Sequence, residues 1–182
     1  MYYPLRIMLV MLSAVLYLAC GTTDPKEEEI KSGGTITVAG DLNESFAVDA
    51  GYTTAAYDDG NITKQYFTII LLPRQPGANP LAMSLLFKSG ASLPQAGTYT
   101  IGGFAFGDDI PVGSFGSSYS GRNVTDFSSY QMHSGNLTLT DVSSKKVSGH
   151  YEASGYYADF IDVDSSRTVT INAEFVAIPL PY

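Results

Sequence analysis

Thr168-Val169-Thr170-Ile171-Asn172-Ala173-Glu174-Phe175 alternates polar and apolar residues without a break. Successive side chains of a β-strand point to opposite faces. The period of two therefore puts Val169, Ile171, Ala173 and Phe175 on one surface and Thr170, Asn172 and Glu174 on the other. One face packs on a core and the other meets water. The same alternation runs through Thr35-Ile36-Thr37-Val38 and Asn136-Leu137-Thr138-Leu139-Thr140. Along 147–157 it sets Val147, Tyr151 and Ala153 against His150, Glu152 and Ser154. Longer strand candidates cover residues 44–57, 62–72, 80–88, 97–101, 146–157 and 167–178. Asp58-Asp59-Gly60-Asn61 reads as a hairpin turn, because Asp, Gly and Asn tolerate the positive φ of tight turns. Tyr66 to Leu72 (YFTIILL) is apolar on both faces, which predicts a central strand covered on each side. Eight or nine strands with short turns, and no amphipathic helix, predict an all-β domain over residues 35–182. An antiparallel sandwich or a barrel fits the pattern, and the β-sandwich, burying two one-faced sheets against each other, is the expected form.

The amino terminus is different in kind. Met1 to Arg6 carries one positive charge, and Ile7 to Ala19 (IMLVMLSAVLYLA) is an apolar stretch ending in a small residue before Cys20. A spanning helix needs roughly 20 apolar residues, so this shorter run predicts an export signal over residues 1–19. Cys20 is the only cysteine of the chain, which excludes an intramolecular disulfide and a cysteine metal cluster. Leu16-Tyr17-Leu18-Ala19-Cys20 resembles the lipobox of bacterial lipoproteins, with Tyr17 where that family usually has Leu. The resemblance implies cleavage before Cys20 and its lipidation, and several acyl chains hold a protein firmly to a membrane. Residues 21–34 (GTTDPKEEEIKSGG) are polar and free of aromatics and read as a flexible tether. The run Lys26-Glu27-Glu28-Glu29 is a solvated spacer or an address. It looks like the export signal of surface lipoproteins of Bacteroidota-type bacteria, and Gly21 after the cysteine argues against retention at the inner membrane. The expected location is the cell envelope, at the outer membrane or the cell surface.

A second resemblance covers the last eighty to ninety residues. Gly97-Thr98-Tyr99, Ser134 to Thr140 (SGNLTLT), Val147 to Ala153 (VSGHYEA) and Val169 to Phe175 (VTINAEF) are similar to the carboxy-terminal pattern of small uncharacterised Bacteroidota lipoproteins. That pattern has Thr-Phe where His150-Tyr151 stands here. The resemblance implies a β-sandwich and no known activity.

Charge and chemistry narrow the function classes. The chain carries a net charge of −8 at pH 7, with seven Lys and Arg scattered after Gly34, so a nucleic-acid partner is not expected. Four Asn-x-Ser/Thr triplets, at Asn43, Asn61, Asn123 and Asn136, follow from the abundance of these residues in turns and exposed strands. His133 reads as loop and His150 as solvent-facing, and no Gly-x-Ser-x-Gly elbow prepares a nucleophile. Asp159, Asp162 and Asp164 cluster as a hard cation would require, yet the glycine and bidentate glutamate of a calcium loop are missing. A strand-to-strand turn explains them, and no metal or other cofactor is expected. Residues 102–134 are rich in Gly and Ser and interspersed with Phe104, Phe106, Phe115, Tyr119, Phe127 and Tyr130. They form either a recognition loop, with Phe104, Phe106, Phe115, Tyr119 and Tyr130 as ligand contacts, or short edge strands with the aromatics packed inward. The expected function is that of a non-catalytic binding or structural module with an envelope protein or glycan as partner. The alternative is a glycan hydrolase working through paired carboxylates.

Overall fold

In a computed structural model, residues 29–58, 63–76, 80–87, 93–102, 115–119, 129–158 and 163–181 are described. The leader, Cys20 and residues 26–28 lie outside them. Nine strands follow in order: β1 (Gly33–Gly40), β2 (Glu44–Asp58), β3 (Thr63–Pro73), β4 (Leu81–Phe87), β5 (Gly97–Thr100), β6 (Phe115–Tyr119), β7 (Ser129–Val142), β8 (Val147–Ala158) and β9 (Val163–Pro179). The all-β expectation holds, and the six long candidates are all strands. β2 and β3 pair as far as Asp58 opposite Thr63, and Asp59, Gly60 and Asn61 of the expected turn lie outside the described residues.

Within that class the sheet differs from two stacked layers. β1 pairs with β2 and β9, β2 with β3, β3 with β4, β4 with β6, β6 with β7, β7 with β8 and β8 with β9, all antiparallel. These pairings return to their starting point, so eight strands close a ring and β5 lies beside the far end of β7. Closure gives each strand of the ring a partner on both sides and removes the open edges of a sandwich. The period of two is the same in both architectures, which is why alternation alone does not choose between them.

The inward residues fill the barrel. Ile36, Val38, Phe67, Ile69, Leu71, Leu137, Leu139, Val169, Ile171 and Phe175 are all buried, as are Tyr119, Tyr130 and Tyr151. On β3 only the Phe67, Ile69 and Leu71 face is buried. Ile70 is half-buried and Leu72 exposed, so the strand expected to be covered twice is covered once. Phe175 is flanked in register by two glycines, Gly34 on β1 and Gly149 on β8. A Cβ on Gly149 would stand 2.3 Å from the Thr138 carbonyl and 3.1 Å from the Phe175 ring. Beyond the start of β1, β2 meets the end of β9 directly, with Gly51 opposite Ile178. A Cβ at Gly51 would collide with the Leu180 side chain at 2.3 Å.

β7 carries the irregularity that matters most. Its ladder with β8 slips between Met132 and Ser134 and again between Leu139 and Asp141, so His133 and Thr140 are each one extra residue. A bulge of one residue reverses which parity faces inward. Tyr130 and Met132 point into the core before His133, and Leu137 and Leu139 after it. The segment read as loop around His133 is therefore strand.

Candidate functional site

Phe115, Tyr119 and Tyr130 do not form a recognition surface. All three are buried, Phe115 meeting Tyr99 edge-on with ring centroids 5.5 Å apart, so they stabilise the barrel and are closed to a surface ligand. For these three the inward-packing alternative is the one observed, although β6 lies between β4 and β7 and is not an edge. Phe104, Phe106, Asp159 and Asp162 lie outside the described residues. Asp164 is exposed at the start of β9 and accepts hydrogen bonds from the Ser166 hydroxyl (2.6 Å) and the Ser166 backbone N–H (3.0 Å), which hold its carboxyl below the usual range. Among the described residues no three His, Cys, Asp or Glu side chains are placed to share a metal.

Both ends of the barrel are fastened by a tyrosine. Near the start of β1, the Tyr52 hydroxyl donates to the backbone carbonyl of Ser143, in the β7–β8 turn, at 3.1 Å. That turn is tightened by the Ser143 N–H to Lys146 carbonyl bond (2.9 Å) and by the Lys146–Asp141 ion pair (2.8 Å). Near the end of β1, the Tyr130 hydroxyl donates to the Asp41 carboxylate. Arg167 Nε donates to the same oxygen at 3.0 Å, and its guanidinium lies 3.8 Å from the centroid of the Tyr157 ring. The Tyr130 and Arg167 bonds hold the Asp41 carboxyl below its ordinary value. Burial, and then the bond to Asp41, push the Tyr130 hydroxyl up to about 12. In mid-barrel the Tyr151 hydroxyl donates to Ser117 Oγ at 2.7 Å, and burial raises its pKa. These groups serve the fold: two of the three hydroxyls are spent on side chains of the core and rim, the third on a carbonyl.

The outer face is where side chains are free to meet a ligand. On β8, β9 and β1 most outward positions are polar, with Ala39, Val176 and Ile178 as aliphatic exceptions. His150 stands opposite Glu174 and Glu152 opposite Asn172, while Glu174 and Asn172 face Thr35 and Thr37 across the next ladder. All six are exposed. They line two adjoining shallow grooves of about 450 Å³ and about 460 Å³ that share Thr35, His150 and Glu174. Both grooves are open and shallow, so a ligand would lie along them and not be enclosed. The carboxylates of Glu152 and Glu174 are diagonal across the β8–β9 ladder. The acid of a glycan hydrolase is normally kept protonated by burial, and neither of these side chains is buried. At the far end of the same β8 row, His133 stacks on Tyr156 with ring centroids 4.1 Å apart and planes 20° from parallel. The alternation of the sequence already places His150, Glu152, Asn172 and Glu174 on the solvent side, whereas His133 reads there as loop. The signal for the site was the polar half of the same alternation that revealed the core. Comparison of the chain with protein-family models, with curated proteins and with solved structures finds no match.

Proposed function

We propose that the chain is a lipid-anchored protein of the bacterial cell envelope, held at the outer membrane or cell surface through Cys20. Its barrel then acts as a non-catalytic binding or structural module. The observation that carries the anchor is the sole cysteine placed directly after a thirteen-residue apolar stretch ending in Ala19. Such a stretch is short for a spanning helix and suited to an export signal. The module half of the reading is supported by a closed, filled barrel, which holds its outer side chains in fixed register and suits recognition more than motion. The polar outer positions of β1, β8 and β9 fit a domain standing in water on its tether. A hydrolase remains the second reading, favoured by the diagonal pair Glu152 and Glu174 and opposed by their exposure.

Expression of the full chain in a bacterial host fed a clickable fatty-acid analogue tests the anchor. The wild-type protein takes up label, whereas Cys20→Ala carries none and accumulates as the unprocessed precursor. Label persisting in Cys20→Ala would sink the anchored reading. Release of new reducing ends from a glycan by the wild-type chain, lost in Glu152→Gln, would replace the module with the hydrolase.

A further inference from the structure

The outward face across β8, β9 and β1 divides into bonded flanks and an unbonded centre. Along the flanks, neighbouring hydroxyls satisfy one another: Ser154 with Thr170 at 3.2 Å, Thr37 with Ser45 at 3.3 Å and Thr98 with Thr138 at 3.0 Å. At the centre, His150, Glu152, Asn172 and Glu174 lie side by side in register, and their side chains make no hydrogen bond or ion pair with any described group. Imidazole, carboxylate and amide together offer both donors and acceptors over a short distance. These four line the grooves already described.

We propose that this face binds a neutral glycan chain, with His150, Glu152, Asn172 and Glu174 bonding its hydroxyls and the His133–Tyr156 pair stacking on a sugar ring. The inference deepens the binding-module reading and rests on it. Charge selects the ligand class. The outward positions at residues 148–156, 168–176 and 35–39 include two carboxylates and no Lys or Arg, so phosphorylated, sulfated and uronate ligands would be repelled. A neutral polyol has no such penalty and matches the mixed donors and acceptors. Spacing fits a chain rather than a single sugar. His150 and Tyr156 are six residues apart on one strand, about 20 Å at the usual rise per residue, with the polar patch at one end and the aromatic pair at the other. Stacking on an aromatic face needs an apolar ring held rigid, and here each ring holds the other at 4.1 Å.

The test uses the full chain in detergent, titrated calorimetrically with cellohexaose, maltohexaose and xylohexaose, and with a hexagalacturonate as the acidic comparator. At least one neutral oligosaccharide binds, and the uronate binds at least about tenfold more weakly. Asn172→Ala and Tyr156→Ala each weaken neutral binding by about tenfold, the loss of one well-placed contact. Thermal unfolding of Asn172→Ala, followed by circular dichroism, stays at the wild-type midpoint, which separates lost contact from lost fold. The inference is overturned if no neutral oligosaccharide binds, if the uronate binds best, or if both variants bind as the wild type does. Fatty-acid labelling at Cys20 is read independently. Glycan binding absent with labelling intact removes this inference and leaves the anchored module standing.

Discussion

At the end of the barrel where β1 begins, Tyr52 reaches a backbone carbonyl 91 residues away; where β1 finishes, Tyr130 reaches a carboxylate 89 residues away. Each tyrosine fastens strands that do not pair directly. The chemistry differs. Ser143 supplies a neutral acceptor that no side-chain substitution removes, and Phe175, lying over Gly149 and Gly34, fills that end with apolar bulk. Asp41 supplies a charge that depends on pH, and Arg167 beside it stays charged throughout. The comparison teaches that one closed sheet holds its ends by two kinds of fastening, one insensitive to protonation and one set by it.

The largest effect is expected at the neutral end. Phe175 is 4% exposed, and emptying a buried Phe site costs about 3–5 kcal/mol, a sizeable part of a domain's stability of roughly 5–15 kcal/mol. Flanking glycines offer no side chains to collapse into the gap, which favours the upper part of that range. Denaturant unfolding of Phe175→Ala followed by circular dichroism measures it, at pH 5 and at pH 8. A loss below about 1 kcal/mol would remove Phe175 from the core of this end.

How much of this was legible follows the regularity of the strands. In β1, β8 and the regular part of β9 the hydrophobic period is unbroken, so the inward set Ile36, Val38, Val147, Tyr151, Val169, Ile171 and Phe175 could be read directly. β7 broke the reading because His133 and Thr140 shift its phase, leaving residues near Ser134 with no single period. β6 was hidden in Gly- and Ser-rich sequence, where Gly116 and Ser117 carry little hydrophobic signal yet are buried. Phe115, Tyr119 and Tyr130 therefore looked like loop aromatics. Ring closure depends on which strands pair, above all β7 with β8 in the presence of β6 on its other edge, and binary patterning is silent on that. The outer-face patch joins residues from three strands, and only their register brings His150 beside Glu174 and Glu152 beside Asn172.

A smaller effect separates the two fastenings. Tyr130→Phe should cost about 1 kcal/mol at neutral pH, the worth of a bond to a charged acceptor partly screened by water, and Tyr52→Phe about 0.5–1 kcal/mol. Their pH dependence should differ more than their size. The folded-state pKa of Asp41 is lowered, so its contribution is present above the ordinary value of 3.8 and is lost as pH falls through the lowered one. That of Tyr130 is raised, so its contribution is complete below 10 and is lost as pH rises through about 12. The gap between wild type and Tyr130→Phe should therefore hold across the neutral range and shrink in acid and in strong alkali. Tyr151 also loses stability in alkali, but in both proteins, so it cancels from the difference. For Tyr52→Phe the gap should stay level through the acid limb, and a matching acid-side decline there would erase the distinction between the ends.

The smallest effect lies one residue from the largest. Glu174 precedes Phe175 on β9 and points the opposite way, exposed, opposite His150 and Thr35, with a side chain bonded to neither. With no partner to lose and no cavity to open, Glu174→Ala should change stability by about 0.5 kcal/mol or less, as surface substitutions generally do. Its charge is shared with Glu152 on the same face, and removing one of two like charges acts, if anything, in favour of the fold. Denaturation under the conditions used for Phe175→Ala gives the comparison directly. A loss from Glu174→Ala as large as that from Phe175→Ala would mean that β9 is not read in the observed register. Near-neutral stability would instead leave Glu174 available for a role outside the fold, so that its effect on glycan affinity can be measured without correction for unfolding.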